Sequence, residues 1–444
     1  MFSSTSISKC RAKIPQISSQ VANLCEDSSL YNELKQNQTL KILHIASDSF
    51  TGGAESVFRN TIKITSNDFI IFSASCDKEI KDSKKHIILD NYKNYNKITG
   101  IFKYIFNIKN YFTLLHSLKT LKPDIIHTQN YLSLLSPSVL FALKIYKKQY
   151  PHTKLIYTQH TFGACGNSCL YNYHKKQVCK SCIKSTKLQI AIKNCDRRGR
   201  IYSIIKAIRT MFYQGIFLKE QNLFDKIIFV SNFQMQKHIE DNYDKSKLKV
   251  ITNPIDSSFF NPSVKKENII IFFGRVSKEK NVSLLIEAFY EIHKDFSDYR
   301  LLIVGDGVDK KKCENLAKKL FKNNNICIFI SHLDSKKLKE RLRSAKISIL
   351  PSIWYESFGL TIIESILSNI IPIASDIGAL SETIEHFGGY KFEVNNKNSL
   401  KQTIKKVLEN YDEYCLNLKK WQEKILREMN EKKYLENLKE IYEN

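Results

Sequence analysis

The sequence predicts an α/β protein of two doubly wound, Rossmann-like parallel-sheet domains facing across a cleft. Two observations carry that prediction. From Lys41 onward, short apolar runs alternate with amphipathic helical patterns, and the runs are near-continuous Ile, Leu, Val and Phe, as expected of strands buried on both faces. The rhythm also occurs twice, broken over 253–267, where Pro254 and Pro262 interrupt regular structure. Because open parallel sheets bind ligands at the carboxyl ends of their strands, two such units side by side place a crevice between them.

In the first half the strand signals fall at 41–46, 69–73, 124–128, 154–158 and 226–230. In the second they fall at 268–273, 300–304, 326–330, 347–350 and 371–374, with helical patterns at 282–294, 310–320 and 335–344 between them. This divides the chain into a poorly ordered leader (1–40), a first domain (41–260) with a Cys-rich insert (161–200), a second domain (261–410), and helices (411–444) that pack back across the join. Two further stretches are apolar at helical spacing and interleaved with basic residues: 98–121, and 201–218 with Arg197, Arg198 and Arg200 before it. Each pattern suits either a sheet-covering helix or a membrane interface, and the first is read as a sheet-covering helix.

The 444 residues, 43% hydrophobic and 25% charged, suit a soluble globular protein with ample core. No run reaches the roughly 18 apolar residues needed to span a bilayer, and the polar first 40 residues lack a signal-peptide core, so a cytoplasmic location is expected. The net charge of +25 is mostly Lys scattered over both halves. No RNA- or DNA-binding pattern accompanies it, so nucleic acid is not expected as a partner and an anionic membrane surface is preferred. Five of the eleven cysteines lie between Cys165 and Cys195. Cys179-x-x-Cys182 forms one half of a tetrahedral thiolate site that two of Cys165, Cys169 and Cys195 complete; free thiols or a redox pair are the other readings.

The most informative stretch is 349–364, I-L-P-S-I-W-Y-E-S-F-G-L-T-I-I-E. A strand ends at Pro351, a loop carries Glu356, and Gly359 opens an apolar helix carrying Glu364. Carboxylates accept hydrogen bonds from sugar hydroxyls, and the free N–H groups of a first helical turn face an anion, so the element suits a ligand with both hydroxyls and phosphates. Other loop motifs keep it company: Gly52-Gly53-Ala54-Glu55, Pro123 to His127, Val230-Ser231, Asn253 to Asp256, Gly274-Arg275 with Glu279-Lys280-Asn281, Val304 to Gly307, Ser375-Asp376, and Gly378 with Glu382. Strung in this order from about Leu40 to Asn410, the set resembles the GT-B glycosyltransferases of family 4.

That resemblance implies the GT-B fold and retaining transfer of a sugar from a nucleotide-sugar donor, UDP- or GDP-linked, to a glycan or lipid-linked acceptor. The setting would be bacterial lipopolysaccharide or capsule synthesis at the inner leaflet of the cytoplasmic membrane. It assigns the leaving diphosphate to Arg275 and Lys280, with Gly52, Gly53, Gly274, Ser357, Phe358, Gly359 and Leu360 around the donor. Glu356 would hold sugar hydroxyls, Glu364 the ribose, and His127 would lie near the reacting sugar. No cofactor is required for catalysis. Where relatives often carry a second histidine, this chain has Gln129, which hydrogen-bonds but is no base near neutral pH. His160 is a further acceptor-side candidate. Similar inserts in a bacterial subset of the family point to Cys165, Cys179, Cys182 and Cys195 as a structural zinc set. Two other readings use the same features: a GT-B nucleotide-sugar epimerase, and a non-catalytic basic protein that binds membrane or nucleic acid.

Overall fold

A computed structural model of the chain describes residues 39–444 apart from 49–52, 78–84, 256–258, 261–264, 323–324, 332 and 334. Nearly all of the expected leader, and with it Gly52, Asp256 and Pro262, lies outside the described residues. The described strands form two parallel sheets. The first runs β3-β2-β1-β4-β5-β8-β9, from β1 (Lys41–Ile45), β2 (Ile70–Ser75), β3 (His86–Ile88), β4 (Ile125–Thr128), β5 (Lys154–Gln159), β8 (Lys226–Phe229) and β9 (Leu248–Val250). A two-residue ribbon, β6 (Tyr171–Asn172) with β7 (Gln177–Val178), sits in the Cys-rich insert. The second sheet runs β12-β11-β10-β13-β14-β15, from β10 (Ile269–Phe273), β11 (Arg300–Val304), β12 (Cys327–Ile330), β13 (Ile347–Leu350), β14 (Ile371–Ser375) and β15 (Tyr390–Phe392).

Central strands such as β10, I-I-I-F-F, are buried along their whole length, which explains why they read as unbroken apolar runs. Strands β3, β9 and β15 had no such signal. They are three-residue edge strands, H-I-I, L-K-V and Y-K-F, and of their nine positions only Leu248 and Phe392 are buried.

The helices on the first sheet are α1 (Gly53–Thr65), α2 (Lys97–Ile105), α3 (Ile108–Leu121), α4 (Ser138–Gln149), α5 (Arg200–Gln214) and α6 (Asn232–Ile239). Those on the second are α7 (Val282–Ile292), α8 (Lys310–Leu320), α9 (Ser335–Ser344), α10 (Leu360–Leu367), α11 (Gly378–Phe387) and α12 (Lys397–Glu409). The single helix expected over 98–121 is two. Asn107 breaks it by capping α3, its Oδ1 accepting from Asn110 N at 3.3 Å, while its amide donates to the Asp90 carboxylate at 3.0 Å. The expected 201–218 helix stops at Gln214.

The chain ends in α13 (Tyr411–Glu428) and α14 (Glu431–Glu443). Helix α13 packs on the second domain, where Gln422 Nε2 donates to Ile366 O. Helix α14 returns to the first sheet, burying Tyr434, Leu438, Ile441 and Tyr442 against Ile42, Ile125 and Ile156. The hydroxyls are satisfied there: Tyr434 Oη lies 2.9 Å from Thr61 Oγ1, and Lys154 Nζ donates to the carbonyls of Ile441 and Tyr442.

Candidate active site

The carboxyl ends of both sheets open on one cavity of about 630 Å³ between them. Each wall is built by strand-end turns. In the second domain the turns after β10 and β11 interlock: Gly274 N donates to Val304 O at 3.0 Å and Val276 N to Asp306 O at 2.9 Å. A Cβ on Gly305 would stand 2.0 Å from the Gly274 carbonyl oxygen, and Gly305 has φ near 140°, so only glycine fits. This contact sets where the next residues, Arg275 to Lys280, emerge.

Arg275 and Lys280 both line the cavity. Arg275 Nη2 is held at 2.9 Å by Glu279, whose side chain is buried, while the arginine itself is half exposed toward the opening. Lys280 Nζ forms an ion pair with Glu356 Oε1, and that same oxygen accepts from Ser352 Oγ at 2.9 Å and Trp354 Nε1 at 2.8 Å. Burial pushes the Glu356 carboxyl up, but the Lys280 charge and the three hydrogen bonds outweigh it and hold the group below its ordinary range. Glu356 is therefore a carboxylate, and its Oε2 takes part in none of these contacts.

The loop then turns through Ser357, Phe358 and Gly359, all lining the cavity, into α10, whose first residue Leu360 and later Glu364 line it too. Gly359 has φ near 120°, and a Cβ there would press on Leu380 Cδ2 at 3.0 Å, so the tight entry into the helix requires glycine. Across the gap, Gly53 opens α1, and a Cβ on it would lie 3.4 Å from Leu360 Cδ1. Two helix N-termini, one from each domain, thus face each other over the cavity, with their positive dipole ends turned inward.

The first-domain wall is Gly53, Ala54, His160 and Asn253, and none of these is acidic. His160 Nε2 lies 3.1 Å from the side-chain oxygen of Gln129, which is wholly buried behind it. Burial lowers His160 to about 4, so it is neutral.

His127 is not part of this site. Its ring is fully buried, with Nδ1 2.7 Å from Tyr442 Oη and Nε2 2.7 Å from Thr158 Oγ1, so it ties β4 to α14 and β5 beneath the cleft. Positions 125 and 127 of β4 share the sheet face that α14 covers.

In the insert, the cysteines expected as a zinc set are packed as follows. Cys165, Cys182 and Cys195 share a small apolar core with Phe162, Leu170, Ile190 and Ala207. Cys165 and Cys182 hydrogen-bond to each other, Cys179 Sγ lies 3.4 Å from Ser181 Oγ, and Cys195 Sγ accepts from Asn172 Nδ2 at 3.8 Å. Among the described residues, no group of three or more His, Cys, Asp or Glu is arranged to hold a metal ion. Ion pairs secure the insert instead: Lys187–Asp241 at 2.6 Å and Lys206–Asp196 at 3.0 Å.

Sequence reasoning passed over Trp354 and Ser352, which orient Glu356. Trp354 is one of only two tryptophans in the chain and sits two residues from the acid, a signal available in the primary structure. It also left without a role two contacts that tie the domains together: Ser231 Oγ donates to Ser357 O at 2.7 Å, and Glu382 accepts from the backbone N–H groups of Asn232 and Phe233 at the start of α6.

Comparison with known proteins agrees with this architecture. The family model Glycosyltransferase Family 4 matches residues 68–259, and Glycosyl transferases group 1 matches 255–425. An uncharacterized 41.2 kDa protein in the cps region of Klebsiella pneumoniae is 26% identical over 358 residues, 78% of this chain and 83% of its own. Anabaena HepE in complex with UDP-glucose superposes with a TM-score of 0.64 at 14% identity, over 90% of this chain and 99% of that one. WaaG, a glycosyltransferase involved in lipopolysaccharide biosynthesis, superposes at 0.58 and 14% identity, over 86% and 95%. The chain belongs to the GT-B glycosyltransferases of family 4, the glycosyl transferases group 1.

Proposed function

We propose that the protein transfers a sugar from a nucleotide-sugar donor to a glycan or lipid-linked acceptor in bacterial surface-polysaccharide synthesis, with retention at the anomeric carbon. The observation that carries the reading is the cluster formed by Lys280, Glu356 and Arg275 between two opposed helix N-termini. Breaking a sugar–diphosphate bond develops negative charge on the leaving oxygen. Fixed cations and backbone N–H groups stabilise that charge without reorganising, which is the largest lever such a site has. Arg275 and Lys280 take the phosphates, Glu356 Oε2 accepts from a hydroxyl of the donor sugar, and Glu364 lies on α10 within reach of the ribose.

Retention is supported by what lines the acceptor-side wall. Among the described residues, none of its cavity-lining members is a carboxylate, so none of them offers a nucleophile for a double displacement there. Gln129 is no base, and burial lowers His160 to about 4, which makes it a poor acceptor of a hydroxyl proton, so the acceptor proton passes to the leaving phosphate. The complexes of HepE with UDP-glucose and the kinship with a cps-region protein support a uridine donor and a polysaccharide acceptor. The lipid-linked acceptor in turn places the protein at the inner leaflet, and no helix among the described residues is long and apolar enough to cross a membrane.

A thermal-shift panel of UDP-, GDP- and ADP-sugars tests the reading, followed by NMR of the product's anomeric configuration. One nucleotide-sugar stabilising the protein, with a product of donor configuration, is expected. Stabilisation by none of the three, or an isomerised donor formed without acceptor, overturns it.

A further inference from the structure

Helices α2, α3 and α5 cover one face of the first domain, and none of the three contains an Asp or a Glu. Their outward positions are large and apolar at helical spacing: Ile98 and Phe102 on α2, Ile108 and Phe112 on α3, Ile201, Ile204 and Ile208 on α5. Phe102 is 69% exposed and Ile201 73%, and Ile216, in the turn after α5, is 80% exposed. The elements adjoin. Helix α2 packs on α5, Phe106 at the α2–α3 break lies 5.5 Å from Phe212, and Phe212 stacks on Phe217 at 4.8 Å. A face this apolar on a water-facing surface marks something it docks against.

Charge and a cavity say what. Between the loop before α2 and the start of α5 lies a pocket of about 160 Å³ lined by Tyr92, Tyr95, Tyr104 and Tyr202 with Lys93 and Lys97. Arg198, also in its wall, lies over the Tyr202 ring at 4.2 Å. The two acids beside this region are each neutralised within the fold, Asp90 by Lys103 at 2.8 Å and Asp196 by Arg198 at 2.9 Å. The surface therefore combines protruding Ile and Phe, a tyrosine layer and uncompensated lysines. Tyrosine is suited to the boundary between hydrocarbon and water, and lysines to anionic headgroups.

We propose that this face docks on an anionic phospholipid bilayer, with Ile98, Phe102, Ile201 and Ile216 at the acyl boundary and the tyrosine pocket receiving a headgroup phosphate beside Lys93 and Lys97. The proposal rests on the inner-leaflet reading above and gives it a surface. It also gives the acceptor a route: Ala207 of α5 lies in the same buried cluster as Phe162, two residues from cleft-lining His160, so the helix that presents Ile201 and Ile204 outward has its inner side near the first-domain side of the cleft.

Flotation of the full chain with vesicles tests it, comparing pure phosphatidylcholine with the same lipid containing about one third phosphatidylglycerol. The expected result is about tenfold or stronger preference for the anionic vesicles, weakened by salt. Phe102→Ser with Ile201→Ser is expected to lose vesicle binding by about tenfold or more, and Lys93→Glu with Lys97→Glu to abolish the anionic preference. All four side chains are exposed and outside the cleft, so nucleotide-sugar thermal shifts stay at the wild-type value. Equal affinity for neutral and anionic vesicles, unmoved by either double variant, overturns the proposal. So does a dimer in light scattering that the Phe102→Ser, Ile201→Ser variant converts to monomer while no vesicle binds. Vesicle binding in a protein that no nucleotide-sugar stabilises would leave this inference standing and remove the donor reading.

Discussion

His127 Nδ1 lies 2.7 Å from Tyr442 Oη, joining the fourth strand of the first sheet to the last helix of the chain. The contact is wholly buried, and the other ring nitrogen is held by Thr158. A histidine in this position serves the fold, because it fixes the returning helix against the sheet that carries one wall of the cleft. His127→Ala leaves two buried hydroxyls without their partner and is expected to cost about 2–3 kcal/mol in urea unfolding. Donor-induced thermal shift should persist in the folded variant. Loss of donor binding at unchanged stability would return His127 to the site.

The same burial makes stability sensitive to acid. His44 and His238 are lowered to about 3, His160 to about 4, and His127 well below its ordinary 6.5, in each case first by desolvation. Each stays neutral in the fold while its unfolded counterpart takes up a proton below 6.5, so each costs roughly 1.4 kcal/mol per pH unit as pH falls toward its folded value. Glu220 acts in the opposite sense. Desolvation raises it to about 7, so it favours the fold below that value and offsets one histidine. The unfolding free energy should therefore drop as pH falls from 6.5 toward 5, because the buried histidines outnumber the carboxyl that opposes them. A flat profile in that window contradicts the burial assigned to these rings.

For the chemistry, Lys280→Ala and Arg275→Ala are each expected to lower turnover roughly 100- to 1000-fold, equivalent to about 3–4 kcal/mol of leaving-group stabilisation. The loss should fall on kcat more than on KM, since charge on the diphosphate is greatest in the transition state. Removing Lys280 also leaves the Glu356 carboxylate without its counter-charge. Glu356→Gln in the Lys280→Ala background should therefore cost less than in the wild type, a coupling that steady-state kinetics on the four proteins measures.

Glu382 stands on the second domain and caps a first-domain helix, accepting from Asn232 N at 2.9 Å and Phe233 N at 2.6 Å. With Ser231 bonded to Ser357 O, it fixes the separation of the two walls. Glu382→Ala should cost about 1–2 kcal/mol of stability, as loss of a helix cap does. It should also weaken donor binding, because the helix N-terminus of α1 then drifts from that of α10. Isothermal titration with the donor identified in the panel checks this, and an unchanged affinity would show that the walls are held elsewhere.

In the insert, the thiols are satisfied in pairs and by neighbouring polar groups, so a strong chelator should leave the melting temperature unchanged. Metal analysis of anaerobically purified protein provides the second measurement. Stoichiometric zinc, or destabilisation by the chelator, would restore the four-cysteine site.

Much of the donor half was legible from local order. Arg275, Lys280, Glu356, Gly359 and Glu364 each follow a strand end or open a helix within a short stretch, and β10, β11, β13 and β14 are short, mostly apolar runs buried along nearly their whole length. The acceptor half was less so. His127 and Gln129 lie two apart on the same strand exit, yet both are buried, one under α14 and the other behind His160. The cover over His127 comes from a helix 315 residues away in sequence, and no local pattern encodes that.

Fold class, family and the residue types gathered at the strand ends of the second domain are legible in local order, because periodicity and turn chemistry are short-range properties of a chain. The assembled fold alone sets Glu356 Oε1 against Lys280, Ser352 and Trp354. It alone buries His127 beneath α14 and brings three acid-free helices onto one apolar face. Those outcomes depend on which groups from distant segments exclude water together, and desolvation is a property of the assembled core.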